Sequence, residues 1–300
     1  MSGTSASPIR LRALPGEEGL PVLTVPQNTS ANQQVLEIAA SYFTVGPGLV
    51  LERATGNSSA NIWGCGPSSG CSGGSNPDYV TIIGNEIRRG CDQGILTEEE
   101  SQHWRISRNF IHDHGAQNAG CPTRLHQSHD IYLQGDYQLV DNNLLTNTPD
   151  GMSIQVYDYC QHCRVVSNSF DNAYHASIAL GGGGCSSRTG LCGASDIDIV
   201  NNIGTRSGPA AYAVYCDSQP PTNYRIRDNI WYIHQALSNC TLGADNLEVD
   251  PLYVAIGSDY HLRSASPGVD SGDSAWLYSP DLGAGLRPQG LGIDKGAYER

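Results

Sequence analysis

The stretch IHDHGAQNAGCPTRLHQSHDIYLQGD, residues 111–136, holds four of the chain's nine histidines: His112, His114, His126 and His129. Cys121 lies between them, and Tyr132 follows the last by three residues. Imidazole titrates near neutrality and a phenol can return a proton to a leaving oxygen, so His112, His114 or His129 with Tyr132 or Tyr157 would form a general acid/base centre. Three imidazoles within reach would also hold zinc or copper, although no glutamate stands at a recognisable ligand spacing from them. A third reading leaves the rings hydrogen-bonded in loops without chemistry. The choice depends on the element that carries the stretch.

The chain has ten cysteines, and three pairs, Cys65/Cys71, Cys160/Cys163 and Cys185/Cys192, lie close together in Gly-, Ser- or Tyr-rich segments. Such pairs read as disulfides made in an oxidising compartment. Cys160-Gln-His-Cys163 has the spacing of a zinc knuckle, but a second C-x2-C pair is lacking. With 35 glycines and 16 prolines in 300 residues, the composition favours many short strands joined by tight turns. A formal charge of -13, with Lys295 the only lysine, argues against a nucleic-acid partner, whose backbone needs clustered cations. Nowhere does an apolar run approach the roughly 18 residues of a membrane span. Residues 1–30 show no basic start leading into an apolar core. The expectation is a secreted, monomeric protein without membrane or nucleic-acid partners, whose signal peptide or first coils are absent from this chain.

An asparagine recurs before an apolar strand: Asn85 in GNEI, Asn109 in RNFI, Asn143 in NNLL, Asn168 in NSF, Asn202 in NNI and Asn229 in DNIW. The intervals are 24, 34, 25, 34 and 27 residues, a base period near 25 with two enlarged members. A solenoid with loop insertions produces that series. Each asparagine follows a β-branched run such as YVTIIGN or CRVVSN. Each repeat also holds an earlier strand: GILTE at 94–98, DIYLQ at 130–134, SIQVY at 153–157, SIALG at 177–181 and AVYCD at 213–217. Three strands per turn without a helix make an all-β coil. The asparagines would occupy one turn, where left-handed geometry suits them, and bond to the asparagine of the next coil.

These features resemble the right-handed parallel β-helix proteins of the pectate-lyase-like superfamily, above all the secreted bacterial β-helix repeat group. The tail phrases DYHLRSASPGVDSGD and LRPQGLGIDKGAYER resemble their closing segment, which gives Asp270, Asp294 and Glu299 a capping role. The resemblance implies a single-stranded right-handed solenoid spanning 1–300 as one domain, closed by residues from about 250 onward. It also implies action on polysaccharides by β-elimination, hydrolysis or epimerisation.

Aligned coil on coil, Ile95, Ile131, Ile154, Ile178 and Val214 point inward, and Leu96, Tyr132, Gln155, Ala179 and Tyr215 point out. Two residues further on, Glu98, Gln134, Tyr157, Gly181 and Asp217 are expected on the same outer face. The patch formed by Glu98, Tyr132, Gln134, Gln155 and Tyr157 is a sugar-binding floor, flanked by insertions at 112–129 and 181–195. Elimination needs a base, an acid and a neutraliser for the uronate. With lysine confined to the closing segment, His/Tyr chemistry takes the proton, and Arg124 is the nearest uronate partner. Hydrolysis would need two carboxylates roughly 5–9.5 Å apart. Glu98 and Asp130 are expected about 13 Å apart along the strand, leaving Asp113, Asp136 or Asp150 to complete a pair. The TEEES run, residues 97–101, reads as a solvated acidic turn, with Ca²⁺ as a cofactor there the alternative. A lyase on an acidic polysaccharide ranks ahead of a glycoside hydrolase and of a non-catalytic binding module.

Overall fold

A computed structural model describes residues 2–16, 19–26, 32–71, 76–118, 120–122, 125–157, 160–185, 190, 192–207, 211–232 and 239–300. Within them the chain winds through three parallel sheets of eight, eight and seven strands. Sheet A runs from Ile9–Leu11 to Thr222–Arg227, sheet B from Val22–Thr24 to Ile230–Tyr232, and sheet C from Leu36–Ile38 to Tyr212–Cys216. Each coil visits A, B and C in turn and pairs only with the coils above and below. The chain is a parallel β-helix, as the asparagine period predicts.

The interior is a set of aligned apolar stacks. On sheet C, Ile62, Ile95, Ile131, Ile154, Ile178 and Val214 sit in register and none is exposed. Each such side chain contributes about 1.5–3 kcal/mol by leaving water, so the stack holds neighbouring coils in one register.

The asparagines form a continuous ladder between sheets A and B. The Oδ1 of Asn109 accepts the backbone N–H of Asn85 at 3.0 Å and its Nδ2 at 3.2 Å. The same double bond links Asn143, Asn168, Asn202 and Asn229 in turn. Asn246, whose shorter interval hides it from the repeat, supplies the last rung at 3.2 and 2.8 Å. One expectation is corrected here: the left-handed residue is the one before each ladder asparagine. Gly84, Arg108, Asn142, Ser167, Asn201 and Asp228 have φ between 54° and 67°. That corner frees the asparagine to turn its amide inward, where the bonds repay its burial.

All ten cysteines are paired. Cys65–Cys71, Cys160–Cys163 and Cys185–Cys192 join as the spacing predicts, so the C-x2-C pair is a disulfide and not a zinc knuckle. Cys91–Cys121 and Cys216–Cys240 complete the set. The tail returns over sheets A and B through an antiparallel pair, Tyr253–Ala255 with Asp259–Leu262. Asp270, Asp294 and Glu299 accept backbone N–H groups of the tail. Lys295 donates to the Asp228 carbonyl at 2.7 Å.

Candidate functional site

The outer face of sheet C carries two parallel rows. One is Ala60, Gln93, His129, Met152, Ala176 and Tyr212; the other is Trp63, Leu96, Tyr132, Gln155, Ala179 and Tyr215. Members of one coil are three residues apart, which simple alternation would send to opposite faces. The strands bend between them: in Ser128–Leu133, Asp130 and Ile131 turn inward and are fully buried, while His129 and Tyr132 line the same cavity.

That cavity encloses about 540 Å³ and is walled by Trp63, Asp92, Gln93, His126, Gln127, His129, Tyr132, Gln155 and Tyr157, among others. His126 and Gln127 come from the first insertion, whose Cys121 is tied to Cys91 beside Asp92. The expected wall therefore rises from the 112–129 insertion and is stapled to the previous coil. The rings of His129 and Tyr132 meet edge-on at 5.7 Å, and Tyr132 stands 6.3 Å from Tyr157. His129 Nδ1 accepts the Met152 N–H at 3.3 Å. That bond assigns the proton of the neutral ring to Nε2.

Of the residues singled out in the sequence, His129, Tyr132, Gln155 and Tyr157 come together. His112 does not join them: it lies on sheet B, bonded to Glu86 at 3.1 Å and to Asp113 at 2.8 Å. His114 is fully buried, with Nδ1 on Asp130 at 2.9 Å and Nε2 against the Asn61 amide at 3.2 Å. The reason both fail as partners of Tyr132 is Asp113, whose φ of 60° turns the chain a corner where an extended segment would have kept the rings together.

Glu98 and Gln134 also leave the floor, because their strands end at Leu96 and Leu133. Glu98 is buried, its Oε2 accepting Gly66 N–H at 2.9 Å and the Ser69 hydroxyl at 2.5 Å. Burial pushes its carboxyl upward in pKa against those bonds. Gln134 is buried as well, its carbonyl taking the Thr97 hydroxyl at 2.9 Å. Arg124 lies outside the described residues.

The carboxylates through which the sequence left hydrolysis open do not meet among the described lining residues of the cavity. Asp130 is buried against His114 and the Thr148 hydroxyl, and Asp113, Asp136 and Asp150 do not line the cavity. Asp92 is the one carboxylate among the described lining residues, and none of those residues is a lysine or arginine. Among the described residues, the group close enough to share a metal ion is Glu37 with Cys65 and Cys71. Its two sulfurs are bonded to each other. Trp63, Asp92, Gln93 and Gln127 were not singled out in the sequence. The signal for Trp63 was present in ANIWG, where Ile62 heads the inner stack and sets its neighbour outward.

An open aromatic groove on one face of a right-handed parallel β-helix defines this protein's class by fold. No family model matches the chain, and no curated protein matches it. Among solved structures it is similar to pectate lyase Pel9A, with a TM-score of 0.57 and 11% identity, covering 100% of this chain and 82% of that one. It is also similar to an alginate lyase from Paenibacillus sp. str. FPU-7, with a TM-score of 0.49 and 15% identity over 81% of this chain and 86% of that one. The Pel9A likeness carries the fold.

Proposed function

We propose that the protein is a secreted carbohydrate-active enzyme that cleaves a uronic-acid-containing polysaccharide by β-elimination in the sheet C cavity. The observation that carries this reading is the His129–Tyr132 pair, set among Trp63, Gln155 and Tyr157; the two-acid chemistry of hydrolysis needs a carboxylate pair, and the described lining residues hold Asp92 alone. Elimination removes the proton on the carbon next to the uronate carboxyl. The electron pair forms the C4–C5 double bond, and the bond from C4 to the glycosidic oxygen breaks. In this scheme Tyr132, entering as the phenolate, takes the C5 proton and returns it to the departing glycosidic oxygen, and His129 Nε2–H faces the charge that builds on the carboxylate as the proton leaves. Gln155 and Tyr157 orient the sugar, and Arg124 remains the candidate partner of the uronate. Glu98 and Gln134 have no role in it.

Five disulfides support the secreted part of the proposal. Incubation with alginate, pectate and glycosaminoglycans, with and without chelator, should raise the ultraviolet absorbance of unsaturated chain ends. Tyr132→Phe and His129→Ala should each lower kcat by about 10²–10⁴-fold. Reducing ends released without that absorbance would overturn elimination in favour of hydrolysis. Binding without turnover of any polysaccharide would make the solenoid a binding module.

A further inference from the structure

The cavity on sheet C is not symmetric about Tyr132. Toward the first coils it runs past Leu96 to Trp63, Ser58 and Gln34, so two coil steps of open floor, about 10 Å, lie on that side. Ser58 is exposed there, and Leu96 and Trp63 are half-exposed. On the other side the lining stops one coil on, at Gln155 and Tyr157.

What ends it is a band of side chains laid across the sheet. The next coil brings Ala176 and Ala179 to the outer rows, and both are buried, at 0% and 4% exposure, with Tyr212 and Tyr215 of the coil beyond packed on them. The two tyrosine rings lie 5.7 Å apart, and His175 packs against them at 5.7 and 4.8 Å. His126, from the cavity wall, meets His175 edge-on at 4.2 Å, so the band reaches that wall. At the opposite edge the Tyr157 hydroxyl donates to Asp217 at 3.4 Å. A Cβ at Gly181, beneath that bond, would lie 2.7 Å from Asp217 Cβ and 3.1 Å from Tyr157 Cε2, so the space there is filled as well. Desolvation and the neighbouring His126 hold His175 down to about 4, as suits a ring enclosed by such a band.

We propose that the groove is blind at this band, and that the enzyme therefore works from the ends of polysaccharide chains, splitting off one or two units at a time. Tyr212, Tyr215 and His175 are the residues that set this mode. The inference rests on reading the cavity as a saccharide groove with Tyr132 at the bond that breaks. One coil step is close to the length of one sugar unit, so a chain lying along the coil axis has room for about one unit between Tyr132 and the band, and about two between Tyr132 and Trp63. The longer side holds the body of the chain, with a ring stacked by its C–H face on Trp63. Cutting an internal bond would require the chain to continue through the band, lifting both tyrosines off the alanines they cover.

Viscosity and new reducing ends, followed together while the parent chain digests long-chain alginate and pectate, test this. Elimination and hydrolysis both create a reducing end, so the result does not depend on which of them operates. The expected result is a slow fall in viscosity relative to reducing ends, with products of one or two units present from the first time points. A rapid loss of viscosity, with a ladder of intermediate oligomers, would overturn the blind end alone. Tyr212→Ala combined with Tyr215→Ala clears the band and should raise the viscosity lost per bond cleaved several-fold, whereas Tyr215→Phe should keep the parent ratio. His175→Ala is a milder opening that should move the ratio the same way if the double variant does not fold. Active opened variants with the parent ratio would overturn the role given to these three residues. Absence of new reducing ends from any polysaccharide would overturn the groove reading and this inference with it.

Discussion

At the scale of single residues, the four clustered histidines separate into distinct environments. His114 is the most constrained: it donates to Asp130, while the Asn61 amide, whose Oδ1 is held by Ala54 N–H, donates to its other nitrogen. Asp130 in turn takes the Thr148 hydroxyl at 2.7 Å. Replacing His114 by Ala would leave a buried carboxylate without its partner, so His114→Ala should cost about 3–5 kcal/mol in denaturant unfolding. His175 gives a pH dependence of defined sign. Its folded pKa is pushed down to about 4 from 6.5 by desolvation and His126. Between those values the unfolded chain binds the proton and the folded one does not, so stability falls as pH drops through the window. The loss is about 1–2 kcal/mol once the partial exposure of the ring is allowed for. His175→Phe should flatten the melting temperature measured between pH 4 and 6.5, and an unchanged slope would refute the assignment.

At the scale of elements, the ladder and the corners set the geometry that the groove inherits. Each interior asparagine accepts two bonds from the coil before it and donates to carbonyls, as Asn143 does to Ile106 O and Asp141 O. Asn143→Ala would strand the amides of Asn109 in a dry interior and should destabilise by about 2–4 kcal/mol. Asn246→Ala, at the partly exposed end of the ladder, should cost about 1 kcal/mol. Equal losses at the two positions in urea unfolding would show that the ladder is not the source of the difference. A second set of corners, at the entry to sheet A, explains the outer stack of Tyr42, Tyr79, His103, Tyr137 and His162, whose rings lie 4.6–4.9 Å apart. All five take φ between 54° and 60°, so successive coils project their side chains in parallel.

At the scale of the whole molecule, a net charge of -13 and a cavity whose described lining holds Asp92 but no lysine or arginine set a field that opposes a polyanion. Raising ionic strength from a low value should therefore lower KM for a polyuronate a few-fold before other salt effects enter. Steady-state kinetics across a salt series measures this, and a KM that rises from the outset would point to cation-driven binding. By itself the sequence determined the coil. The asparagine period, the inner row Ile95, Ile131, Ile154, Ile178 and Val214, and the outer row through Tyr132 and Gln155 are all periodic signals, and stacking makes period equal to register. It also determined three of the disulfides, because their partners are near in the chain. Only the tertiary structure decided which histidine meets Tyr132. A left-handed φ at Asp113 and the early ends of the strands at Leu96 and Leu133 redirect His112, His114, Glu98 and Gln134. A corner of one residue carries no periodicity, and its effect on a side chain's direction exists only once neighbouring coils are packed against it.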